Sequence, residues 1–341
     1  MDGTSEAGKR PFPSTFDAGS RNKTLADVLA LSRELSNWGR WGDDDEIGTV
    51  NFITREKALD GAECVRQGRQ FSLAIPFDKD GPQAGQTQRF NPMLFMTRDG
   101  NDIATGAIRR LSRYHKECHS RFTDDVWLLP SQTGTQWDAL AHCLYDNRMY
   151  NGFPADAIAS WGTTRCGIEV WKDRIATRGV LLDMARWAGL DALAPGDAIG
   201  PEHLEACCRD QNVEVGSGDI VLIRTGMVGQ CRADGSWGDY AGGDAPGLSV
   251  ESARWIHERQ LAGVATDTWG AEVLPNETED VFQPFHVVAL VHMGLLLGEI
   301  FDLEALAADC AEDGQYDFLF VAPPLPMTGA VGSPLNPIAL K

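Results

Sequence analysis

Behind Thr24, the segment LADVLALSREL places Leu25, Val28, Leu29, Leu31 and Leu35 on one stripe at helical spacing. With the threonine as N-cap, this predicts an amphipathic helix ending near Leu35 that packs on the rest of the chain. Short apolar or alternating runs predict strands at 71–75, 126–129, 179–182, 220–223, 263–266 and 318–321. Helical periodicity predicts helices at 201–211, with Pro201 in the first turn, and at 249–260, 285–293 and 303–312. Strands and helices intermix, the pattern of an α/β protein whose irregular loops carry the chemistry. The pattern does not set the order in which the strands pair.

The chain has 341 residues, 43% of them hydrophobic, with 36 glycines and 17 prolines, which excludes a fibre, a coiled coil or a disordered chain. No repeat, charge block or low-complexity linker divides residues 24–341, so a single domain is expected there. Residues 1–23 are polar, lack the apolar core of a signal peptide, and are expected to form a flexible arm. The richest apolar stretch is broken by His292, Gly294 and Gly298, so no bilayer span is expected, and the cytoplasm is the default compartment. Thirty Lys and Arg against 49 Asp and Glu leave a net charge of −19, which repels polyanions and argues against a nucleic-acid partner. The eight cysteines form no C-x-x-C pair and read as reduced and mostly buried.

The densest polar cluster in apolar surroundings is VWLLPSQTGTQWDALAHCLYDN, residues 126–147. Pro130 takes the chain out of a strand, and Gly134 allows a tight bend that brings Gln132, Gln136 and Asp138 to one side at alternate positions. If ALAH is helical, Asp138 and His142 share a face four residues apart, a carboxylate and imidazole suited to metal binding and general-base work. The plainer alternative is a polar turn in which Asp138 caps a helix.

A second cluster is PFHVVALVHMGLLLGEIFDLEAL, residues 284–306. His286 and Glu299 are too far apart to meet on one helix. A helix ending at Gly294 climbs roughly 12 Å, however, and a strand through Glu299 returns roughly 16 Å, which brings both side chains to one point. A glutamate within LLLGEIF is costly to bury without a partner or a cation, and a structural ion pair is the competing explanation. His292 lies about 120° around the helix from His286 and should face elsewhere. His115 and His119 have zinc-like i, i+4 spacing, but Arg109, Arg110, Arg113, Lys116 and Arg121 surround them, which disfavours a dication.

QTGTQWDALAH resembles the H-x-G-T-H-x-D-x-P-x-H signature of the putative cyclase family, metal-dependent hydrolases that include bacterial kynurenine formamidase, isatin hydrolase and trans-dienelactone hydrolase. WGRWGDDDEIGTVNFIT, GDIVLIRTG, TDTWGAEVLP, GLLLGEIFDLEALA and PPLPMTGAVGSPLNPIA are similar to segments of the longer members, so the resemblance covers nearly everything after the arm. It implies an α/β domain with a β-rich core flanked by helices, of the swivelling β/β/α kind, assembled as a homodimer or homotetramer. It further implies that Asp138, His286 and Glu299 ligate metal and that His142 is the acid/base. Gln132 and Gln136 stand where the family carries two histidines, and an amide oxygen is a weaker, harder, neutral donor. One divalent ion, Mn²⁺ or Zn²⁺, is therefore expected, with Gln132 or Gln136 as an oxygen donor or a hydrogen-bonding group for substrate.

The expected activity is hydrolysis of a small lactone, cyclic amide or imide, or N-acyl arylamine, by metal-activated water with His142 as base. Trp137 and Trp269, more than Phe153 and Trp161, are expected to wall a flat substrate, and Asp267 and Glu272 to orient ligands or substrate. Two alternatives remain open from sequence. One is a metal-free or weakly metallated cyclase, dehydratase or isomerase at the same site; the other is a catalytically silent binding protein that retains the fold.

Overall fold

A computed structural model describes residues 12–17, 19–85, 88–106 and 120–341. Nine strands form the main sheet: β1 (Gln70–Ser72), β2 (Gln136–Asp138), β3 (Ala176–Asp183), β4 (Ile220–Arg224), β5 (Gly263–Thr266), β6 (Leu296–Glu299), β7 (Asp317–Val321), β8 (Gly332–Pro334) and β9 (Ile338–Leu340). Their spatial order is β1-β9-β7-β3-β4-β5-β6-β2-β8. The four central strands β3 to β6 run parallel, and antiparallel strands extend the sheet on both sides. The central strands are runs such as IVLI and GVAT, buried almost throughout, as expected where helices cover both faces.

Crossover helices Pro201–Asp210, Ser252–Glu258 and Pro284–Met293 join successive parallel strands. The last begins with Pro284 at its first turn and becomes a π-helix from Val287, a form that recurs at functional sites. It ends at Gly294, whose φ of 65° favours glycine and where a Cβ would meet the Tyr150 ring at 2.4 Å. That stop returns the chain into β6. The helix Leu25–Glu34 is capped by Thr24, whose side chain and that of Asp27 bond each other's backbone N–H. Its buried Val28 and Leu31 pack against the π-helical segment.

The expected strand near 126–129 forms outside this sheet. Met93–Arg98 and Asp124–Leu128 pair as a two-stranded antiparallel ribbon, with Leu94, Phe95, Met96, Trp127 and Leu128 exposed. Part of the expected arm is docked: Phe12 is buried against Trp187 and His203, and Thr15 donates its N–H to the Gly196 carbonyl. His115, His119 and the basic residues Arg109, Arg110, Arg113 and Lys116 lie outside the described residues. No helix among the described residues is long and apolar enough to cross a membrane.

Candidate metal centre

The centre forms where the carboxyl end of β6 meets β2, at the edge of the parallel block where open α/β sheets place their ligands. The antiparallel register sets Glu299 opposite Gln136 and Leu297 opposite Asp138. Side chains alternate along a strand, so Gln136, Asp138 and Glu299 face the same side. His286 reaches them from the first turn of the crossover helix. Ligand atoms of Asp138, His286 and Glu299 lie within 4.8 Å of one another, all three residues buried. The turn-and-return geometry read from the sequence is the one observed.

The hydrogen bonds around this group are unevenly distributed. His286 Nε2 is 3.2 Å from Glu299 Oε1, and its Nδ1 is 2.5 Å from Glu272 Oε1. Glu272 also accepts the backbone N–H groups of Phe285 and His286, each at 3.0 Å, so it fixes the helix start as well as the ring. Burial alone disfavours the imidazolium, but the hydrogen bonds to Glu272 and Glu299 override it and hold the pKa of His286 well above its usual range. Gln136 donates to Glu299 Oε2 at 2.8 Å.

Asp138 has no such support. Both its carboxylate oxygens are buried without a hydrogen-bond partner among the described residues, and the same holds for Gln136 Oε1. Burial raises the Asp138 pKa to about 6, against the opposing pull of His142. Two carboxylates and an imidazole converging in a buried site, with the Gln136 amide beside them, are a donor set that fits a divalent cation, which would satisfy the orphaned carboxylate oxygens. A cation held there would compete with the proton between His286 and Glu299, so its binding would release a proton.

His142 sits beside this group rather than within it. The expected helix through ALAH is absent: residues 139–142 make a turn closed by the His142 N–H to the Ala139 carbonyl. The turn nevertheless brings His142 Nε2 to 3.9 Å from Asp138 Oδ1. Gln132 lies 3.4 Å from His142 Nδ1 and donates to the Val331 carbonyl at 3.1 Å, so it braces the imidazole instead of joining the carboxylates.

Two expected site residues belong elsewhere. Trp137 points to the opposite face of β2, fully buried against Phe301 and Phe320, with its indole N–H bonded to the Ala322 carbonyl at 2.8 Å. It is core, because neighbouring strand positions face opposite ways. Asp267 spends its carboxylate on the Thr225 N–H and hydroxyl and the Gly226 N–H, at 2.7 to 2.8 Å, and so pins the loop after β4. Phe153 lies under the Arg165 guanidinium, and Trp161 is exposed. Burial pushes the Cys143 thiol, near the centre, up to about 11, which favours the thiol over the thiolate.

Arg89 also stands at the site, though no motif in the sequence marks it. Its guanidinium lies 4.8 Å over the Trp269 ring and 3.5 Å from His142 Nε2.

Glu272→Gln tests the bracing of His286. It should keep the fold while weakening divalent-metal affinity about 10- to 100-fold, as loss of a ligand's outer partner does. Unchanged metal titration by calorimetry would count against the bracing role.

With fold and site in view, the chain belongs to the putative cyclase family, whose profile matches residues 71–273. A solved structure described as a novel cyclase is 40% identical, aligning over 91% of this chain and 99% of its own with a TM-score of 0.80. Isatin hydrolase A from Ralstonia solanacearum shares the fold at 15% identity, over 84% of this chain and 97% of its own, with a TM-score of 0.54. Isatin hydrolase A from Labrenzia aggregata does so at 19% identity, over 83% and 97%, with a TM-score of 0.51. No curated protein sequence matches the chain.

Proposed function

We propose that this protein is a metal-dependent hydrolase of a small lactone, cyclic amide or imide, or N-acyl arylamine, cleaving a non-peptide C–N or lactone bond. The observation that carries this reading is Asp138: a buried carboxylate with no hydrogen-bond donor on either oxygen among the described residues, in a group with His286 and Glu299. Asp138, His286 and Glu299 would hold the ion, with Gln136 Oε1 beside them, and this oxygen-rich mixed set suits Mn²⁺ or Zn²⁺. A divalent ion bound there would acidify a water molecule and polarise the substrate carbonyl.

The chain's own residues supply the proton chemistry. His142 is half-buried, with Nε2 3.9 Å from Asp138 Oδ1 and 3.5 Å from the Arg89 guanidinium, and as the acid/base it would take the proton of the attacking water and return it to the leaving nitrogen or oxygen. Gln132, anchored on the Val331 carbonyl and 3.4 Å from His142 Nδ1, limits how far the ring can turn. Glu272 holds His286 in one rotamer, and Gln136 does the same for Glu299.

The His286 bridge between Glu272 and Glu299 also supports a second reading, a metal-free cyclase, dehydratase or isomerase in which a proton takes the cation's place. One assay separates the two. Hydrolysis of lactones, imides or formylated arylamines should disappear on exhaustive chelation and return with Mn²⁺ or Zn²⁺. Turnover that survives chelation moves the assignment to the metal-free reading.

A further inference from the structure

Many arginines in this acidic chain are neutralised by carboxylates: Arg178 by Asp219 and Asp317, Arg224 by Asp183 and Glu304, Arg232 by Asp302. Arg89 is not. Among the described residues its contacts are neutral: the Gln132 carbonyl at 3.4 Å, His142 Nε2 at 3.5 Å and the face of Trp269. These few long contacts leave most of its five N–H donors unused.

The chain and the ring around the guanidinium are held in place all the same. The Phe90 carbonyl, next along the chain, accepts the Thr133 hydroxyl at 2.5 Å. Asn91 closes the segment onto the N–H of Gln83, Gln83 donates its amide to the Thr133 carbonyl, and the Trp269 indole N–H donates to Gln83 Oε1. One network therefore ties Arg89 and the ring beneath it to the same loop that presents Gln132, Asp138 and His142. Fixing an unpaired cation beside a general base serves a ligand that brings the missing charge.

We propose that Arg89 is the specificity-determining residue of this site and that it binds a carboxylate on the substrate, separate from the bond that is cleaved. A planar fork over a flat ring matches a carboxylate in two-pronged fashion, and a single guanidinium balances one negative charge rather than the two of a phosphate. Substrates of the site are then small carboxylated lactones, imides or N-acyl amines. The identity of the cleaved bond rests on the hydrolase reading; the anion site does not.

The test uses benzoate and its neutral isostere benzamide, titrated calorimetrically into the full chain with Mn²⁺ and again after chelation. Wild type should bind benzoate about 10-fold or more tighter than benzamide under both conditions. R89Q should lose roughly 10- to 100-fold in benzoate affinity with benzamide unchanged, the usual cost of removing one partner of a charge-assisted bond. R89K, which keeps the charge and loses the fork, should fall between them, and it carries the test if R89Q does not fold. Equal benzoate affinity in the variants and wild type overturns the proposal, as does benzoate binding that vanishes on chelation. Loss of chelator-sensitive hydrolysis, with the benzoate contrast intact, sinks the hydrolase reading alone.

Discussion

Asp138→Asn is expected to raise the melting temperature in chelator and lower it in millimolar Mn²⁺ relative to wild type, while abolishing turnover. Without a cation, the wild-type carboxylate is buried with neither oxygen hydrogen-bonded among the described residues, and burial pushes its pKa up to about 6 from an ordinary value of 3.8. A shift of that size corresponds to about 3 kcal/mol against the ionised form at neutral pH. Because the folded value is the higher one, the metal-free protein should be steadied by this group below pH 4 and lose that stability as pH rises through 6. The amide removes the charge and with it that slope. A bound ion reverses the ranking, since a ligand at 1,000 times its Kd contributes about 4 kcal/mol that the variant forgoes. Differential scanning calorimetry at pH 5 and pH 7.5, with and without Mn²⁺, reads all four states. Melting curves that move in parallel would remove Asp138 from the metal centre.

His142→Ala should separate catalysis from metal binding. The imidazole stands 3.9 Å from Asp138 and outside the buried three-residue group, so the variant should keep its ion. Its turnover should fall by about 10² to 10⁴, the typical contribution of a positioned acid/base. Elemental analysis beside steady-state rates gives both readings from one preparation. A variant that loses its metal would make His142 a ligand, and one that keeps full activity would leave the proton transfer without a carrier.

Much of this was legible in the sequence because local physics and tertiary placement agree. A helix stopped by glycine and followed by a strand has only one way to return, which is why His286 and Glu299 could be brought together from their spacing and Gly294 alone. The segments 220–223 and 263–266 read as strands because near-continuous apolar runs are what a doubly covered parallel sheet requires. Residues 136–138 did not declare themselves: three residues are too few to show a period, and nearness to the motif alone placed Trp137 at the site. Asp267 carried no local sign that Thr225 and Gly226, more than forty positions away, would take up its oxygens. Arg89 gave no signal because its meaning comes from what lies across from it, a ring contributed from position 269.

The three-residue strand β2 has one further consequence. It turns Gln136 and Asp138 toward His286 and Glu299 and Trp137 into the packed interior, and it is held from both flanks by β6 and β8. Lengthening or shortening the chain by a single residue between Gly134 and Gln136 would rotate all three positions at once, pushing an indole into the reaction chamber and a carboxylate into oil. Descendants of this sequence can therefore explore new chemistry here by exchanging side chains, but not by indels.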